Sequence, residues 1–440
     1  MYSCPPNTKE MIAEMTASDN SNIPDILVVG SGPSGMMAAI AAASIGSTVT
    51  VLEQMKKPGM KLLATGGRRC NLTNTKSPSD IMADFGPTGR FMSPAMDLFD
   101  NSKLRTFFHN LGVGTHSPDG FRVWPVTHKA TSIHSALLDH ATSLGIKIVC
   151  DCEVKDILVE EAQQRGVKTS KGLFRGRKLI MATGGLSLSS TGATGSGYRI
   201  ASAVGHKIKP TFPSGVPLLA RETWMGSCTA DTIAKVKAKV DPIRGKSIKG
   251  AKRITATGDL IFTRKGIAGP LALNLSREIA QMLHREGEIP IELNLVQNAS
   301  EGSVDEYLKS LKASHPKMTI DDALAKYAPT SLRQVMLDQL EQPKEKPVCE
   351  IPRNQLLKCA KFLTKNQMTI YGTTGFTRAI ATKGGVDLKG IDPKTLMSKS
   401  IDSLFFCGEL VDMDGPCGGY NLTWAFASGR LAGTRAAEYH

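Results

Sequence analysis

The chain has 440 residues, of which 41% are apolar and 21% charged, so a fibrous or disordered protein is excluded and two or three domains are expected. No apolar run is long enough and free enough of charge to span a membrane, and residues 1–24 match neither a secretory signal nor a transit peptide, which predicts a loose tail and a cytoplasmic location. The formal charge of +14 fits either a basic surface or an anionic partner. We interpret it as a basic surface and expect no nucleic-acid partner.

The cysteines argue against a disulfide or metal framework. Nine of them are spread along the chain, and no C-x-x-C occurs. An odd number at irregular spacing fits a reducing compartment, and the missing C-x-x-C disfavours a zinc ribbon and a dithiol-flavin reductase. Residues 146–154 are predicted to form one strand with Cys150 and Cys152 on it, so we predict no metal site there.

Residues 25–54 carry the first motif with a chemical meaning. An apolar strand at 26–29 ends in Gly30-x-Gly32-x-x-Gly35, an Ala-rich helix follows at 36–44, and a second strand at 48–52 ends at an acid. These glycines allow a tight turn, approach of a diphosphate and close packing of helix on strand, while the helix N-terminus favours phosphate. The acid can bind the ribose hydroxyls and disfavours a 2′-phosphate. The candidate dinucleotide contacts are Gly30, Ser31, Gly32, Pro33, Ser34, Gly35, Glu53 and Gln54.

Further segments favour a flavin dinucleotide over a nicotinamide one. Residues 61–74 read KLLATGGRRCNLTN, in which two glycines and two arginines can surround a phosphate; a basic surface loop is the alternative. A second apolar strand at 178–181 ends in ATGG, a turn that packs against the cofactor in two-dinucleotide flavoproteins. The backbone of Val154 could face adenine. The candidate contacts are Lys61, Gly66, Gly67, Arg68, Arg69, Cys70, Asn71, Val154, Thr183, Gly184 and Gly185.

Glycine-rich turns occur in two more places. Residues 191–198 (TGATGSGY) open a helix to about 204, and either contact the flavin or merely turn the chain. Residues 400–421 contain a strand at 404–407, a glycine-laced loop at 414–420 and then a helix at 422–435. The positive end of that last helix would stabilise charge near N1 and O2 of a reduced flavin. The candidate contacts are Gly408, Glu409 (near the ribityl chain or the diphosphate), Asp414, Gly418, Gly419, Tyr420 and Asn421.

The middle of the chain has a different pattern. Residues 209–300 are β-rich, with a strand at 232–240 that alternates apolar residues with lysine, and fit a small barrel or sandwich. Between residues 231 and 253 there are eight Lys or Arg and two Asp. We interpret the lysines as the solvated face of a sheet, the alternative being a phosphate-binding stripe. Spacing becomes helical at 301–365, and residues 366–440 return to the insert and the dinucleotide-binding part.

Eight stretches together resemble one protein family, the NAD(P)/FAD-dependent oxidoreductases of the BaiN/RdsA (YhiN-like) type. They are GSGPSG, TGGRRCNLTN, DGFRVWPVTHKA, ATGGLS, TGATGSGY, GDLIFTRKGIAGPLALNLS, TTGFTRAIATKGGV and FFCGELVDMDGPCGGYNLTWAFASGRLAG. The resemblance runs from residue 25 to the C-terminus. It implies bound FAD, reduction by NAD(P)H and, in some relatives, reduction of conjugated double bonds in steroid-like 3-oxo compounds. The chain departs from the family at Ser196, where an Asp is expected, and at LSLSST after ATGG.

The sequence thus predicts an α/β protein with a discontinuous Rossmann-like FAD-binding domain at 25–208 and 366–440, an inserted β-barrel-like domain at 209–300 and a helical subdomain at 301–365. We expect an FAD-dependent oxidoreductase that takes hydride from NAD(P)H and passes it to a small organic acceptor such as an activated C=C bond. Candidates for the proton donor are Tyr420, Cys417, Lys383 and Tyr198. The alternatives are a tRNA-modifying flavoprotein and a non-catalytic flavin-binding protein. No second G-x-G-x-x-G for NAD(P)H follows a strand, and the oligomeric state stays open.

Overall fold

A computed structural model describes residues 23–159, 165–229, 231–241 and 254–439. The strands are β1 Ile26–Val29, β2 Val49–Leu52, β3 Thr73–Asn74, β4 Thr115–His116, β5 Arg122–Pro125, β6 Lys147–Val149, β7 Val154–Val159, β8 Arg165–Thr169, β9 Gly172–Gly176, β10 Lys178–Met181, β11 Ile208–Ser214, β12 Leu218–Ala220, β13 Thr232–Val240, β14 Thr255–Thr263, β15 Gly266–Ala268, β16 Ile289–Asn294, β17 Asn366–Thr373, β18 Ala381–Val386 and β19 Leu404–Phe406. The helices are α1 Pro33–Ala43, α2 Met60–Arg68, α3 Pro78–Asp84, α4 Ser93–Leu98, α5 Asn101–Asn110, α6 Ala130–Ser143, α7 Ser196–Ala203, α8 Gly269–Glu286, α9 Glu301–Ser314, α10 Ile320–Leu324, α11 Thr330–Gln339, α12 Arg353–Thr364 and α13 Tyr420–Glu438.

A parallel sheet in the order β19-β10-β1-β2-β6 joins the two ends of the sequence. All residues of β1 and β2 are buried, as the apolar runs predict for strands covered on both faces. Helix α1 begins at Pro33, earlier than the predicted start at residue 36, because proline is accepted in the first turn of a helix. The sheet order and the dinucleotide-type turn confirm the predicted Rossmann-like α/β fold class.

Helix α13 packs on α1 with almost no side chain between them. A Cβ atom placed on Gly429 would lie 2.2 Å from the carbonyl oxygen of Ser34, and one on Gly433 would lie 2.1 Å from that of Ala38. Because real Cβ atoms cannot approach a backbone oxygen so closely, these two glycines set the distance between the helices. The C-terminal helix therefore presses directly against the helix that follows the first glycine turn.

The middle of the chain forms a closed barrel in the order β12-β15-β14-β13-β16-β17. Its interior is a second hydrophobic core, separate from the core of the parallel sheet, and α9, α10, α11 and α12 contribute to it. After a register irregularity between Ile233 and Val236, strand β13 alternates exposed and buried residues, so Lys235, Lys237 and Lys239 are exposed as predicted. The basic residues at 242–253 and the predicted tail at 1–22 lie outside the described part of the chain.

One expectation about local structure is wrong. Residues 146–154 form two strands, β6 and β7, because the chain turns at Asp151, whose φ is 53°. Cys150 and Cys152 therefore lie in a turn region and share no single strand. The segment predicted as β-rich also contains α8, whose apolar residues recur at helical spacing and fill the barrel core at Leu271, Ala272, Leu275, Ile279, Met282 and Leu283.

No helix within the described ranges is long and apolar enough to cross a bilayer. Across the same residues, no group of three or more His, Cys, Asp or Glu side chains is placed to hold a metal ion.

Candidate functional site

A cavity of about 560 Å³ runs from the carboxyl ends of β1, β2 and β10 to the N-terminus of α13. This is the edge of a doubly wound sheet where ligands bind in α/β proteins. The predicted contacts that line it are Gly30, Gly32, Pro33, Ser34, Glu53, Gln54, Lys61, Gly66, Gly67, Arg69, Asn71, Val154, Thr183, Gly184, Glu409, Gly418, Gly419 and Asn421. The predicted contacts outside the lining are Ser31, Gly35, Arg68, Cys70, Gly185, Gly408, Asp414 and Tyr420.

The first glycine turn has the geometry of a diphosphate cradle. Gly30 has a φ of 100°, and a Cβ there would lie 2.5 Å from the carbonyl oxygen of Ala182, while a Cβ on Gly35 would lie 1.9 Å from the carbonyl oxygen of Gly30. A Cβ on Gly32, in contrast, would meet nothing within 4 Å. Helix α1 has no side-chain cap, so its first N–H groups point free toward that space. The space is therefore open to an anion at the positive end of the helix.

Glu53 lies beside this cradle and is held by the backbone. One oxygen of its carboxylate accepts hydrogen bonds from the N–H and the hydroxyl of Ser31, at 2.9 and 2.5 Å, and the other accepts one from the N–H of Met55 at 2.8 Å. These three bonds fix the carboxylate at the cavity wall and leave about one lone pair, on the oxygen that Met55 contacts, for a further hydroxyl donor. Ser31 therefore serves the site through Glu53, without lining the cavity.

The end of α2 forms a second turn over the cavity. Thr65, Gly66 and Gly67 leave helical geometry, and both glycines have positive φ values of 55° and 64°. The guanidinium of Arg69 lies 4.7 Å from the centroid of the Trp124 ring, and both residues line the cavity. Arg68 is exposed and does not line the cavity, and Cys70 is buried, which raises the pKa of its thiol to about 12. Of the two arginines predicted to contact phosphate, only Arg69 reaches the cavity.

Glu409 has a partner that the sequence does not indicate. Its carboxylate forms an ion pair with Lys61, and accepts hydrogen bonds from the hydroxyl of Ser187 at 2.7 Å and from the N–H of Thr382 at 2.6 Å. Both charged side chains are about four-fifths buried and line the cavity. The pair joins α2 to the end of β19, so both residues shape the wall, and their charges compensate each other.

At the other end, the first turn of α13 faces the cavity. The helix begins after Gly419, which has a φ of 85° and no side-chain cap, and a Cβ on this glycine would lie 2.5 Å from the carbonyl of Thr73. Gly418 and Asn421 line the cavity beside it. The free N–H groups and the positive end of the dipole of a 19-residue helix therefore point into the space.

The four candidate proton donors lie in different surroundings. The Tyr420 hydroxyl donates to Asp84 at 2.6 Å, away from the cavity, and burial together with this carboxylate raises its pKa. Lys383 donates to the carbonyl of Arg277, and Tyr198 is buried with its hydroxyl 3.4 Å from the carbonyl oxygen of Glu409. Cys417 alone of the four lines the cavity. Tyr420 does not line the cavity because successive residues of a helix point in different directions, and its neighbours Gly419 and Asn421 take the positions that do.

Several residues of the cavity wall are absent from the predicted set. The part of the chain from β12 to β17, called the barrel half below, contributes Pro270 and Leu273 from the first turns of α8. The segment before β18 contributes Arg378 and Ile380. Arg122 and Trp124 come from β5. All six belong to stretches named for the family resemblance, but no local spacing rule assigns them to a ligand. The wall at this end is built from three distant parts of the chain.

Comparisons with known proteins agree with this geometry. The model of the HI0933-like protein Rossmann domain matches residues 24–435. The chain is 31% identical to the 3-dehydro-bile acid delta(4,6)-reductase of Clostridium scindens over 93% of its own length and 98% of that protein. It is 29% identical to the ribosomal RNA dihydrouridine synthase of Haemophilus influenzae, over 91% of this chain and 96% of the relative.

Among solved structures, the fold is similar to that of a 3-ketosteroid-delta4-(5alpha)-dehydrogenase from Rhodococcus jostii, with a TM-score of 0.51, 16% identity and coverage of 96% of this chain and 98% of the other. A 3-ketosteroid delta1-dehydrogenase from Sterolibacterium denitrificans has a TM-score of 0.52 at 12% identity, over 96% and 100% of the two chains. At these identities the likeness concerns the fold. Because the family model covers nearly the whole sequence, the chain belongs to the HI0933-like Rossmann-domain family, as the resemblance to the BaiN/RdsA type predicts.

Proposed function

We propose that this FAD-dependent oxidoreductase reduces a carbon–carbon double bond conjugated to a carbonyl group, with NAD(P)H as the source of hydride. The observation that carries the proposal is one continuous cavity that extends from the uncapped start of α1 to a wall of Pro270, Leu273 and Ile380. Two relatives support the choice of bond. One is named a 3-dehydro-bile acid delta(4,6)-reductase and the other a ribosomal RNA dihydrouridine synthase, and a dihydrouridine is a uridine with two hydrogens added across a ring carbon–carbon double bond.

The residues fit FAD in three places. The turn at Gly32 and the start of α1 would hold the diphosphate, Glu53 a ribose hydroxyl, and Val154 lies at the same end for the adenine. Bound FAD supplies two-electron transfer as hydride. The N-terminus of α13 would stabilise negative charge at the far end, and the apolar wall from the barrel half excludes water from it.

Anaerobic reduction tests the proposal directly. The purified protein is mixed with NADH or NADPH while the visible flavin band is followed, and cyclic enones and quinones are then added as acceptors. We expect bleaching by one nicotinamide and reoxidation by an enone. The enzyme assignment is contradicted if the protein carries FAD, neither nicotinamide bleaches the flavin band and no acceptor reoxidises the dithionite-reduced protein. That outcome would support the alternative of a non-catalytic flavin-binding protein.

A second candidate is reduction of a uracil ring within RNA. It is favoured by the outward lysines of β13 and by the excess of eight basic over two acidic residues at 231–253. Two relatives named as ribosomal RNA dihydrouridine synthases, from Haemophilus influenzae and Escherichia coli, support it. If RNA is the substrate, ribosomal RNA fragments should reoxidise the reduced enzyme faster than free enones do. Binding of these fragments to the enzyme should weaken steeply as the salt concentration rises. Equal rates of reoxidation by RNA at low and high salt contradict this candidate.

The Glu53 carboxylate offers a test of the orientation of FAD. Glu53→Ala should weaken FAD binding by about 10- to 100-fold, because hydrogen bonds to a charged acceptor contribute ~1.5–3 kcal/mol each. Fluorescence titration of the flavin-free protein measures the change. Glu53→Gln keeps the shape and one acceptor and should lose less. An unchanged dissociation constant in Glu53→Ala would place the ribose elsewhere.

A further inference from the structure

Helix α8 of the barrel half is joined to the loop before α13 by a buried ion pair. The Nε of Arg277 lies 3.1 Å from the Asp414 carboxylate, and its Nη2 donates to the Asp414 backbone carbonyl at 2.9 Å. The side chains are 14% and 9% exposed, so the pair is almost completely removed from water. Ser214 also donates to the same carboxylate oxygen at 3.0 Å. A guanidinium that binds both the side chain and the main chain of one residue fixes the position of its backbone.

The same face of α8 contacts the loop a second time. The side-chain oxygen of Asn274, one turn before Arg277, accepts a hydrogen bond from the N–H of Cys417 at 2.9 Å. One further residue back, Leu273 lines the main cavity. Residues at spacing three and four lie on one side of a helix. Helix α8 thus supplies both a part of the cavity wall and the two hydrogen-bonded attachments of residues 414–417.

The attached loop leads directly into the first turn of α13. Gly415 is tied to Asn421 in both directions, since its N–H donates to the Asn421 side chain at 2.8 Å and its carbonyl accepts from it at 3.1 Å. A shift of residue 414 is therefore transmitted to Asn421, which lines the cavity beside the free N–H groups of the helix. Arg277 itself does not line the main cavity.

From these contacts we propose that Arg277 is a positioning residue: through Asp414 it holds the start of α13 at the distance from which its dipole acts on the bound flavin. The inference rests on the proposed flavin site. Its consequence is that the inserted barrel half, although outside the dinucleotide-binding fold, sets the reduction potential of the cofactor. Loss of the attachment withdraws the positive helix end, and the reduced flavin becomes less stable.

Two single variants separate positioning from the electrostatic effect of the charges themselves. Arg277→Met removes a cation and Asp414→Leu removes an anion. If the charges acted on the flavin only through space, Arg277→Met would lower its midpoint potential and Asp414→Leu would raise it. If the pair positions the loop, both variants lower the potential, because both release the start of α13. Shifts of opposite sign overturn the proposal.

The double variant Arg277→Met/Asp414→Leu guards against simple unfolding, since an apolar pair often replaces a buried ion pair without loss of stability. It should unfold at nearly the wild-type temperature while its potential stays low. A wild-type potential in the double variant overturns the proposal, because any well-packed pair would then suffice. Arg333→Met is the matched control, because Arg333 forms a similar, mostly buried pair with Asp321 and does not line the cavity.

A second measurement needs no flavin. The N–H groups of Gly415 and Cys417 donate to the side chains of Asn421 and Asn274, so their exchange with deuterium reports whether the loop is held. In the flavin-free protein, exchange over residues 414–417, followed by peptide mass spectrometry, should be at least about tenfold faster in Arg277→Met, with the peptides of α9 unchanged. Unchanged exchange at 414–417 overturns the attachment. If the wild-type protein bound no FAD, the proposed function would fail while this measurement still decided whether the loop is held.

Discussion

Gly32→Val is expected to give a folded protein that has lost its flavin. Gly32 has a φ of −66° and ψ of 179°, a conformation open to any residue, and a Cβ there meets nothing within 4 Å. The branched side chain therefore clashes only with what the cavity binds. Overpacking of this kind costs about 1–3 kcal/mol, so FAD binding should weaken by up to ~100-fold. Absorbance of the purified protein and titration of the flavin-free form measure it.

The neighbouring glycine provides the contrast. Gly35→Ala places a Cβ 1.9 Å from the carbonyl oxygen of Gly30, so it should lower the unfolding temperature, with or without ligand. Gly302→Val, in the first turn of α9 and far from the cavity, is the control for adding the same side chain at another unhindered glycine. Gly32→Val protein that purifies with one FAD per chain would show that the diphosphate does not lie over this turn.

Gly433→Val is expected to destabilise the whole dinucleotide-binding half. The new Cβ would lie 2.1 Å from the carbonyl oxygen of Ala38 on α1, a backbone atom that cannot move without moving the helix. Separating α1 from α13 opens the apolar contact between them, and displaces the first turns of both helices from the cavity. We expect a loss of about 3 kcal/mol or more in the free energy of unfolding, together with weaker FAD binding.

Thermal and urea unfolding, followed by circular dichroism, measure this change. Gly429→Val, one helical turn earlier, should behave alike because its Cβ would meet the carbonyl of Ser34 at 2.2 Å. Arg435→Ala, on the exposed side of α13, is the control and should change stability by less than about 0.5 kcal/mol. Wild-type stability in Gly433→Val would mean that the two helices are not in backbone contact.

The sequence predicted well those features that depend on residues close together in the chain. The strand, glycine turn and helix at 26–43 follow from an apolar run, from glycines that allow positive φ or close approach, and from alanines that favour a helix. The outward lysines of β13 follow from the two-residue period of a strand. The prediction failed at 146–154, where an apolar pattern continues through Asp151 although the backbone turns.

The orientation of side chains at the site depended on the fold. Tyr420 looked like a cavity residue because it adjoins two glycines, but the position of α13 directs it to Asp84. Trp124 and Ile380 carry no spacing signal and nevertheless line the cavity. A one-residue step on a helix changes direction by about 100°, so neighbours of a correctly predicted contact often face another way.

Fold class and the glycine cradle could thus be derived from the order of the residues, because backbone conformation is governed by local sterics and short-range periodicity, whereas the family followed from the resemblance of eight stretches. The tertiary structure alone showed that Lys61 pairs with Glu409, 348 positions later, and that Arg277 of the barrel half binds Asp414 next to the last helix. Such pairs form because the sheet brings the two ends of the chain together and the barrel packs against them. Charge and residue type determine which ion pairs are chemically possible, whereas the distances set by the fold determine which of them form.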